Sequence, residues 1–108
     1  MEFLVQFDLT VPPGTPAAEV TDGERAEASA AAELADAGHL IRLWRLPGGP
    51  GEAKAIGVYR ADSEARLDGL LRALPLYDWL KITVTPLAPH PNDPVAMSTA
   101  AESDGVGI

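Results

Sequence analysis

The chain has 108 residues, which leaves room for one domain, because a shared hydrophobic core usually takes about 100 to 150 residues. Apolar residues make up 46% of the sequence and charged residues 22%, a composition typical of folded rather than disordered proteins. The formal net charge of −8 would repel nucleic-acid phosphates and anionic lipid surfaces, so we expect no nucleic-acid partner and no membrane association.

Residue types that the chain lacks exclude several kinds of site. The sequence has no cysteine, which rules out disulfides, thiolate metal sites and a cysteine nucleophile. Its two histidines, His39 and His90, show no HxxxH or calcium-loop spacing, so we expect no metal site. A signal-peptide pattern is absent, and no apolar run approaches the roughly 20 residues of a membrane span. The sequence therefore predicts a cytoplasmic protein.

The first half of the chain predicts a strand, a helix and a hairpin. Apolar residues occupy alternate positions from 3 to 9, the period of a strand with one apolar face. After a proline-rich loop, the stretch Ala17 to Asp36 is rich in alanine and glutamate and predicts a helix, with Gly38 as its C-cap. Residues 40–46 and 53–60 predict two strands, and the short PGGPG turn between them favours a hairpin.

The second half predicts a helix and a last strand. Ser63 can cap a helix that extends to about Ala73, and four leucines recur at helical spacing at positions 67, 70, 71 and 74. Residues 79–85 alternate again and predict the last strand. The domain is predicted to span residues 1–91, and the proline-rich and acidic segment 92–108 is predicted to be a mobile tail.

The element order β-α-β-β-α-β predicts a ferredoxin-like α+β fold, in which two helices cover one face of a four-stranded antiparallel sheet. The other face must then be solvated or shared with another chain. Leu4, Trp44 and Ile56 are candidates for a partly apolar second face, which favours oligomerisation by sheet-on-sheet packing.

Glu27 interrupts the apolar stripe of the first helix. At about 100° per residue it projects only about 20° from Leu34, near the centre of the stripe. A carboxylate that faces the sheet needs a cation, hydrogen bonds or a solvent-filled pocket, and any of these can tune a general base. The alternative is that the helix is rotated and Glu27 is solvated. Glu24, about 80° from Leu34, is interpreted as a solvated acid.

Several short segments in order resemble the muconolactone isomerase family: LWR at 43–45, LPL at 74–76 and VTPLAPHP at 84–91. The resemblance extends to the opening strand, the Pro12 loop and the alanine-rich helix, and covers about residues 1–91. It implies a dimeric α+β barrel and a cofactor-free isomerase that shifts a double bond in an unsaturated lactone of aromatic catabolism. It also implies a homo-oligomer built from dimers, up to a decamer.

The resemblance places the family's catalytic glutamate at Glu27. Allylic isomerisation needs one base that takes a proton α to a carbonyl and returns it at the γ carbon, so one carboxylate can serve both steps. Candidate substrate-binding residues follow from the family match and from their chemistry: Arg45, Arg42, Trp44, Tyr59 and His90. The two arginines point to opposite faces of their strand, so at most one should line a given pocket, and Arg45 is favoured.

The chain also departs from the family pattern. Glu24 and Ala28 stand where lysines are usual around the glutamate, Arg42 replaces a histidine, and an aromatic, amide-rich stretch before the third strand is missing. A less cationic pocket should raise the pKa of Glu27. Two alternatives therefore stay open: a cyclase or lyase that acts on another, less charged carbonyl compound, and a non-catalytic ligand-binding oligomer.

Overall fold

The computed structural model describes residues 1–49 and 53–95. Part of the PGGPG turn and most of the predicted tail lie outside these described residues. The elements follow the order β1 (Glu2–Leu9), α1 (Ala17–Asp36), β2 (Leu40–Leu46), β3 (Ala53–Arg60), α2 (Glu64–Arg72), a 3-10 turn (Tyr77–Trp79) and β4 (Leu80–Leu87). The predicted ferredoxin-like order is confirmed. None of the helices in the described ranges is long and apolar enough to cross a membrane.

The four strands form one antiparallel sheet with the order β2-β3-β1-β4. Because side chains alternate along a strand, the register assigns each residue to a face. Phe7 pairs with Ala55 on one side and with Ile82 on the other, so these three residues share the face that the helices cover. The predicted hairpin between β2 and β3 is confirmed.

The core lies between that face and the helices. Phe3 and Val5 of β1 and Leu67 and Leu71 of α2 are at most 2% exposed. Leu74, the last member of the predicted leucine stripe, is also buried. Burying a leucine or phenylalanine side chain contributes about 1.5 to 3 kcal/mol relative to leaving it exposed, so this contact fixes α2 on the sheet.

The start of α2 and the end of α1 are capped by the residues that the sequence predicts. The backbone N–H of Arg66 donates to Ser63 Oγ over 3.1 Å, which is an N-cap bond. Gly38 has φ +82°, and its N–H donates to the Ala35 carbonyl while the His39 N–H donates to the Leu34 carbonyl. These two bonds form a Schellman motif, which turns the chain sharply from α1 into β2.

The last strand differs from the prediction by one residue at its start and two at its end. Trp79 belongs to the 3-10 turn, because its N–H donates to the Leu76 carbonyl over 2.8 Å. Pairing with β1 continues as far as Leu87, which lies opposite Glu2. Pro86 is tolerated inside β4 because β4 is an edge strand and needs no second ladder.

The second face of the sheet is partly apolar. Leu4 lies opposite Val58, and Trp44 lies opposite Ile56, all on the face that carries no helix. Trp44 and Leu46 are 42% and 37% exposed. The placement of Leu4, Trp44 and Ile56 on this face is confirmed.

Candidate active site

A cavity of about 310 Å³ lies between α1 and the helix-covered face of the sheet. It is at the end of the sheet where β1 finishes, since its wall includes Leu9 and Leu80, which pair with each other. Most of the wall is apolar, and the residues whose side chains carry charge or a hydroxyl group are Glu27, Arg45, Lys54 and Tyr59. A mostly apolar cavity with a few convergent polar groups is the usual form of a small-molecule site.

Glu27 of α1 is partly buried in this wall. One of its carboxylate oxygens, Oε2, accepts a hydrogen bond from the backbone N–H of Leu76 over 3.1 Å. Leu76 belongs to the turn after α2, and it is itself 7% exposed. Of the two placements considered for Glu27, the helix orientation that turns it toward the sheet is the observed one, and the carboxylate is partly rather than fully buried.

The pKa of Glu27 is raised, and burial is the main cause, because a low-polarity surrounding disfavours the charged form. The Leu76 N–H lowers the pKa and offsets part of this effect. The sequence predicted the same direction from the loss of neighbouring lysines. A carboxyl group with a raised pKa that faces a cavity is suited to proton transfer near neutral pH.

Tyr59 of β3 faces the same cavity. Its ring lies 6.0 Å from that of Phe7, and the residue is 3% exposed. Burial and the nearby Glu27 charge raise the pKa of Tyr59 to about 12, so its hydroxyl stays protonated. Among the described residues this hydroxyl has no hydrogen-bond partner, yet it is not sealed from solvent. It is therefore a free donor at the cavity wall.

The two arginines of β2 lie on opposite faces, as predicted. Arg45 is opposite Ala55, lines the cavity, and has no ion-pair partner within the described part of the chain. Arg42 stacks on Trp44 on the other face, with Cζ 4.7 Å from the ring centroid. The register places Lys54 on that other face as well, where Nζ is 3.8 Å from the carboxylate of Asp8. Arg45 is thus the cationic side chain that the strand alternation directs to the cavity.

Three of the six predicted site residues do not line this cavity. Arg42 and Trp44 lie on the far side of the sheet because they alternate with Leu43 and Arg45. His90 follows the end of β4 at Leu87, opposite Glu2, whereas the cavity lies at the other end of that strand. Its Nδ1 accepts a hydrogen bond from the Asn92 N–H over 2.9 Å. Within one chain, Glu27, Arg45 and Tyr59 are the predicted residues that come together.

Comparison with known proteins assigns the chain to a family. The sequence profile of muconolactone delta-isomerase matches residues 1–93. The chain belongs to the muconolactone delta-isomerase family. Muconolactone Delta-isomerase 1 of Acinetobacter lwoffii is 37% identical over 93 residues, which are 85% of this chain and 93% of that protein. Muconolactone Delta-isomerase of Cupriavidus pinatubonensis is 36% identical over 92 residues, 85% of this chain and 97% of the relative.

Solved structures agree with this membership of the muconolactone delta-isomerase family. A crystal structure of muconolactone isomerase superposes with a TM-score of 0.76 at 28% identity, and covers 87% of this chain and 95% of the other. The 5-chloro-2-hydroxyhydroquinone dehydrochlorinase of Burkholderia phenoliruptrix has a TM-score of 0.62 at 13% identity, and covers 83% of this chain and 96% of the other. At that identity the second likeness shows the fold alone.

One polar contact of this family member was missed by sequence reasoning. The Leu76 N–H is a backbone donor, and it lies 49 residues from Glu27 along the chain. The LPL run at 74–76 marked the turn without indicating what its amides bind. Metal ligands do not cluster here, because no three histidine, aspartate or glutamate side chains of the described ranges come together.

Proposed function

We propose that this protein shifts the C=C double bond of an unsaturated lactone without a cofactor, with Glu27 as the single acid and base. The observation that carries the proposal is the position of the Glu27 carboxylate, which is partly buried at the wall of an apolar cavity and held by one backbone amide. Family membership supports the reaction, since the relatives that match over most of the chain are named muconolactone delta-isomerases.

The proposed reaction transfers one proton between the two ends of an allylic system. The Glu27 carboxylate removes a proton from the carbon at one end, and the electrons of the broken C–H bond move into a dienolate whose charge rests on the lactone oxygen. The protonated Glu27 then returns the proton to the carbon at the other end. No electrons are gained or lost, so the acid and base work of one carboxyl group is sufficient.

Tyr59 is proposed to stabilise the dienolate. Tyr59 lines the cavity that holds Glu27, and its protonated hydroxyl has no hydrogen-bond partner among the described residues. A donor already aimed at the oxygen where negative charge develops lowers the barrier without reorganisation. The pKa of about 12 makes Tyr59 a hydrogen-bond donor rather than a base.

Arg45 is proposed to bind the carboxylate of the lactone substrate. Arg45 forms no ion pair with residues 1–49 or 53–95, and a guanidinium group left open in this way can form two parallel hydrogen bonds with a carboxylate. Arg45 is the cationic side chain on the cavity side of β2, whereas the rest of the wall is largely apolar. This arrangement fits a compact lactone with one anionic group and an apolar ring.

We also propose that the protein is a homo-oligomer of barrel-like dimers that pair through the helix-free face of the sheet. Apolar residues occupy the middle of that face, and the cavity itself is open at the edge strand β2, where Leu43 is 48% exposed. A second chain could cover both. Arg42, Trp44 and His90, which lie away from the cavity of their own chain, would then be available to contacts between chains.

The test is turnover of muconolactone by the wild-type protein and by Glu27→Gln. Glutamine keeps an oxygen that can accept the Leu76 N–H but cannot take a proton, so kcat should fall by about 100- to 10,000-fold. Glu24→Gln is the matched control, because Glu24 is an exposed acid on the same helix. Turnover that survives in Glu27→Gln would refute the assignment. Wild-type turnover of an uncharged unsaturated lactone, with none of muconolactone, would favour the less charged substrate.

A further inference from the structure

Gly23 occupies an unfavourable place for a glycine, in the interior of α1 and one turn before Glu27. Among the described glycines only Gly14 and Gly38 have a positive φ, so the backbone at residue 23 is one that any residue could adopt. Glycine inside a helix is less stable than alanine because the unfolded chain has more freedom to lose. The surroundings of Gly23 show a contact that favours glycine at this position.

That contact is the close approach of Leu76. A β-carbon placed on Gly23 would lie 2.8 Å from Leu76 Cδ2 and 3.8 Å from the Trp79 ring. The first distance is shorter than packed carbon atoms allow, so a β-carbon there requires either a rotation of the Leu76 side chain or a movement of the Leu76 turn away from α1. The buried Leu76 side chain thus packs directly on the backbone of α1.

Leu76 contacts α1 a second time, through its amide. The N–H of Leu76 donates to Glu27 Oε2 over 3.1 Å. Residues four apart lie above one another on a helix, so Gly23 and Glu27 share the side of α1 that faces the Leu76 turn. One residue therefore makes the van der Waals contact at Gly23 and the hydrogen bond at Glu27.

We propose that Gly23 is a positioning residue for Glu27: its missing side chain lets the turn at Leu76 approach α1 closely enough for the Leu76 amide to hold the carboxylate. The meaning of this for catalysis rests on the proposed function. The hydrogen bond from the Leu76 amide to the carboxylate does not rest on that proposal, because it is a property of the folded chain.

The groups around Glu27 predict what a larger residue at position 23 would change. Arg45 of β2 and Tyr59 of β3 line the cavity, and the lining residues of β1 and β4 are apolar. Lys54 of β3 borders the cavity too, but its side chain pairs with Asp8 on the other face of the sheet. None of these three side chains belongs to the Leu76 turn. Displacing that turn therefore removes the amide from Glu27 and leaves the charged groups in place, which raises the pKa of Glu27 further.

The experiment compares Gly23→Ala with wild type and with Gly69→Ala. Gly69 is the matched control, because it is also helical and a β-carbon there would meet nothing within 4 Å. The pKa of the Glu27 carboxyl is measured by NMR titration of labelled glutamate side chains, with the signal assigned by its loss in Glu27→Gln. It should be higher in Gly23→Ala than in wild type and unchanged in Gly69→Ala. In Gly23→Ala the acid limb of the kcat/KM profile should move to higher pH.

An unchanged Glu27 pKa in folded Gly23→Ala would overturn the proposal, since Leu76 would then have yielded by rotating its side chain alone. The NMR readout needs no turnover. Absence of isomerase activity in the wild-type protein would therefore refute the proposed function without deciding the role of Gly23.

Leu76→Ala supplies the second arm, because it removes the methyl group that obstructs a β-carbon at residue 23 and keeps the backbone amide. In the Leu76→Ala background, adding Gly23→Ala should leave the Glu27 pKa unshifted. An equal shift in both backgrounds would contradict the proposal. If Gly23→Ala alone does not fold, the double variant should be at least as stable as Leu76→Ala, and a further loss of stability in the double variant would count against the close approach as the cause.

Discussion

At the scale of single residues, the site depends on a carboxylate that is neither fully buried nor fully solvated. Full burial without a cation would leave Glu27 protonated, and full exposure would give it an ordinary pKa. The cavity supplies the partial burial, and one amide from the Leu76 turn supplies the hydrogen bond. The same partial burial makes the stability of the protein depend on pH in a predictable direction.

Glu27→Gln should change how stability varies with pH. Because the pKa of Glu27 is raised on folding, the folded protein binds more protons than the unfolded chain between the ordinary and the raised pKa. Stability therefore falls as pH rises through that window, and glutamine does not titrate. Relative to wild type, Glu27→Gln should gain free energy of unfolding as pH rises from the ordinary pKa of a glutamate through the raised pKa of Glu27. Urea denaturation at fixed protein concentration measures this, and a pH-independent difference would contradict the raised pKa.

Arg45→Gln should weaken the use of a carboxylate-bearing lactone. Hydrogen bonds to charged groups contribute about 1.5 to 3 kcal/mol, so kcat/KM should fall roughly 10- to 100-fold. The value for an uncharged lactone should change far less. Arg42→Gln is the informative comparison, because Arg42 stacks on Trp44 on the opposite face. If kcat/KM fell as much in Arg42→Gln as in Arg45→Gln, Arg45 would not be the residue that binds the substrate carboxylate.

At the scale of secondary structure, glycine and proline mark the element limits more sharply than apolar periodicity does. The bounds of α1, β2 and β3 could be predicted because a proline-rich loop, Gly38 and the PGGPG turn limit them. The start of β4 could not, because the 3-10 turn at Tyr77–Trp79 depends on a hydrogen bond to the Leu76 carbonyl rather than on residue type.

The residues of the site depend on tertiary contacts in the same way as the start of β4. Helical projection placed Glu27 toward the sheet, and strand alternation separated Arg42 from Arg45. Which of the two arginines faces the cavity depends on the pairing register of β2 with β3, and the short chain segment itself does not specify it. The amide of Leu76 could not be predicted at all, because every residue except proline has one.

Gly38→Ala and Gly69→Ala should shift stability in opposite directions. A β-carbon at either position would meet no atom within 4 Å, so packing is not involved. Gly38 has φ +82°, where alanine costs about 1 to 2 kcal/mol. Gly69 is helical within α2, where alanine should add about 0.5 to 1 kcal/mol. Thermal denaturation of both variants measures the two changes. A loss of stability in Gly69→Ala would contradict the free space that the structure shows around residue 69.

At the scale of the whole molecule, two apolar features stay uncovered by residues 1–49 and 53–95 of the same chain. One is the helix-free face around Trp44 and Ile56, and the other is the open side of the cavity at Leu43. A chain with a net charge of −8 resists nonspecific association, which favours the proposed dimer contact over random aggregation at this patch. Sheet-on-sheet packing would bury the first patch and leave the helices on the outside.

Ile56→Glu tests the proposed assembly. Ile56 lies opposite Trp44 on the helix-free face and is partly exposed in one chain, so a carboxylate there keeps some contact with water in a monomer and would lose it in a dimer. The variant should therefore dissociate while keeping its secondary structure, as light scattering and circular dichroism would show. Ser29→Glu adds the same charge to the exposed side of α1 and should leave the assembly intact. A wild-type protein that is monomeric at micromolar concentration would contradict the proposal. If Ile56→Glu still formed the oligomer, the contact between chains would have to lie on another surface.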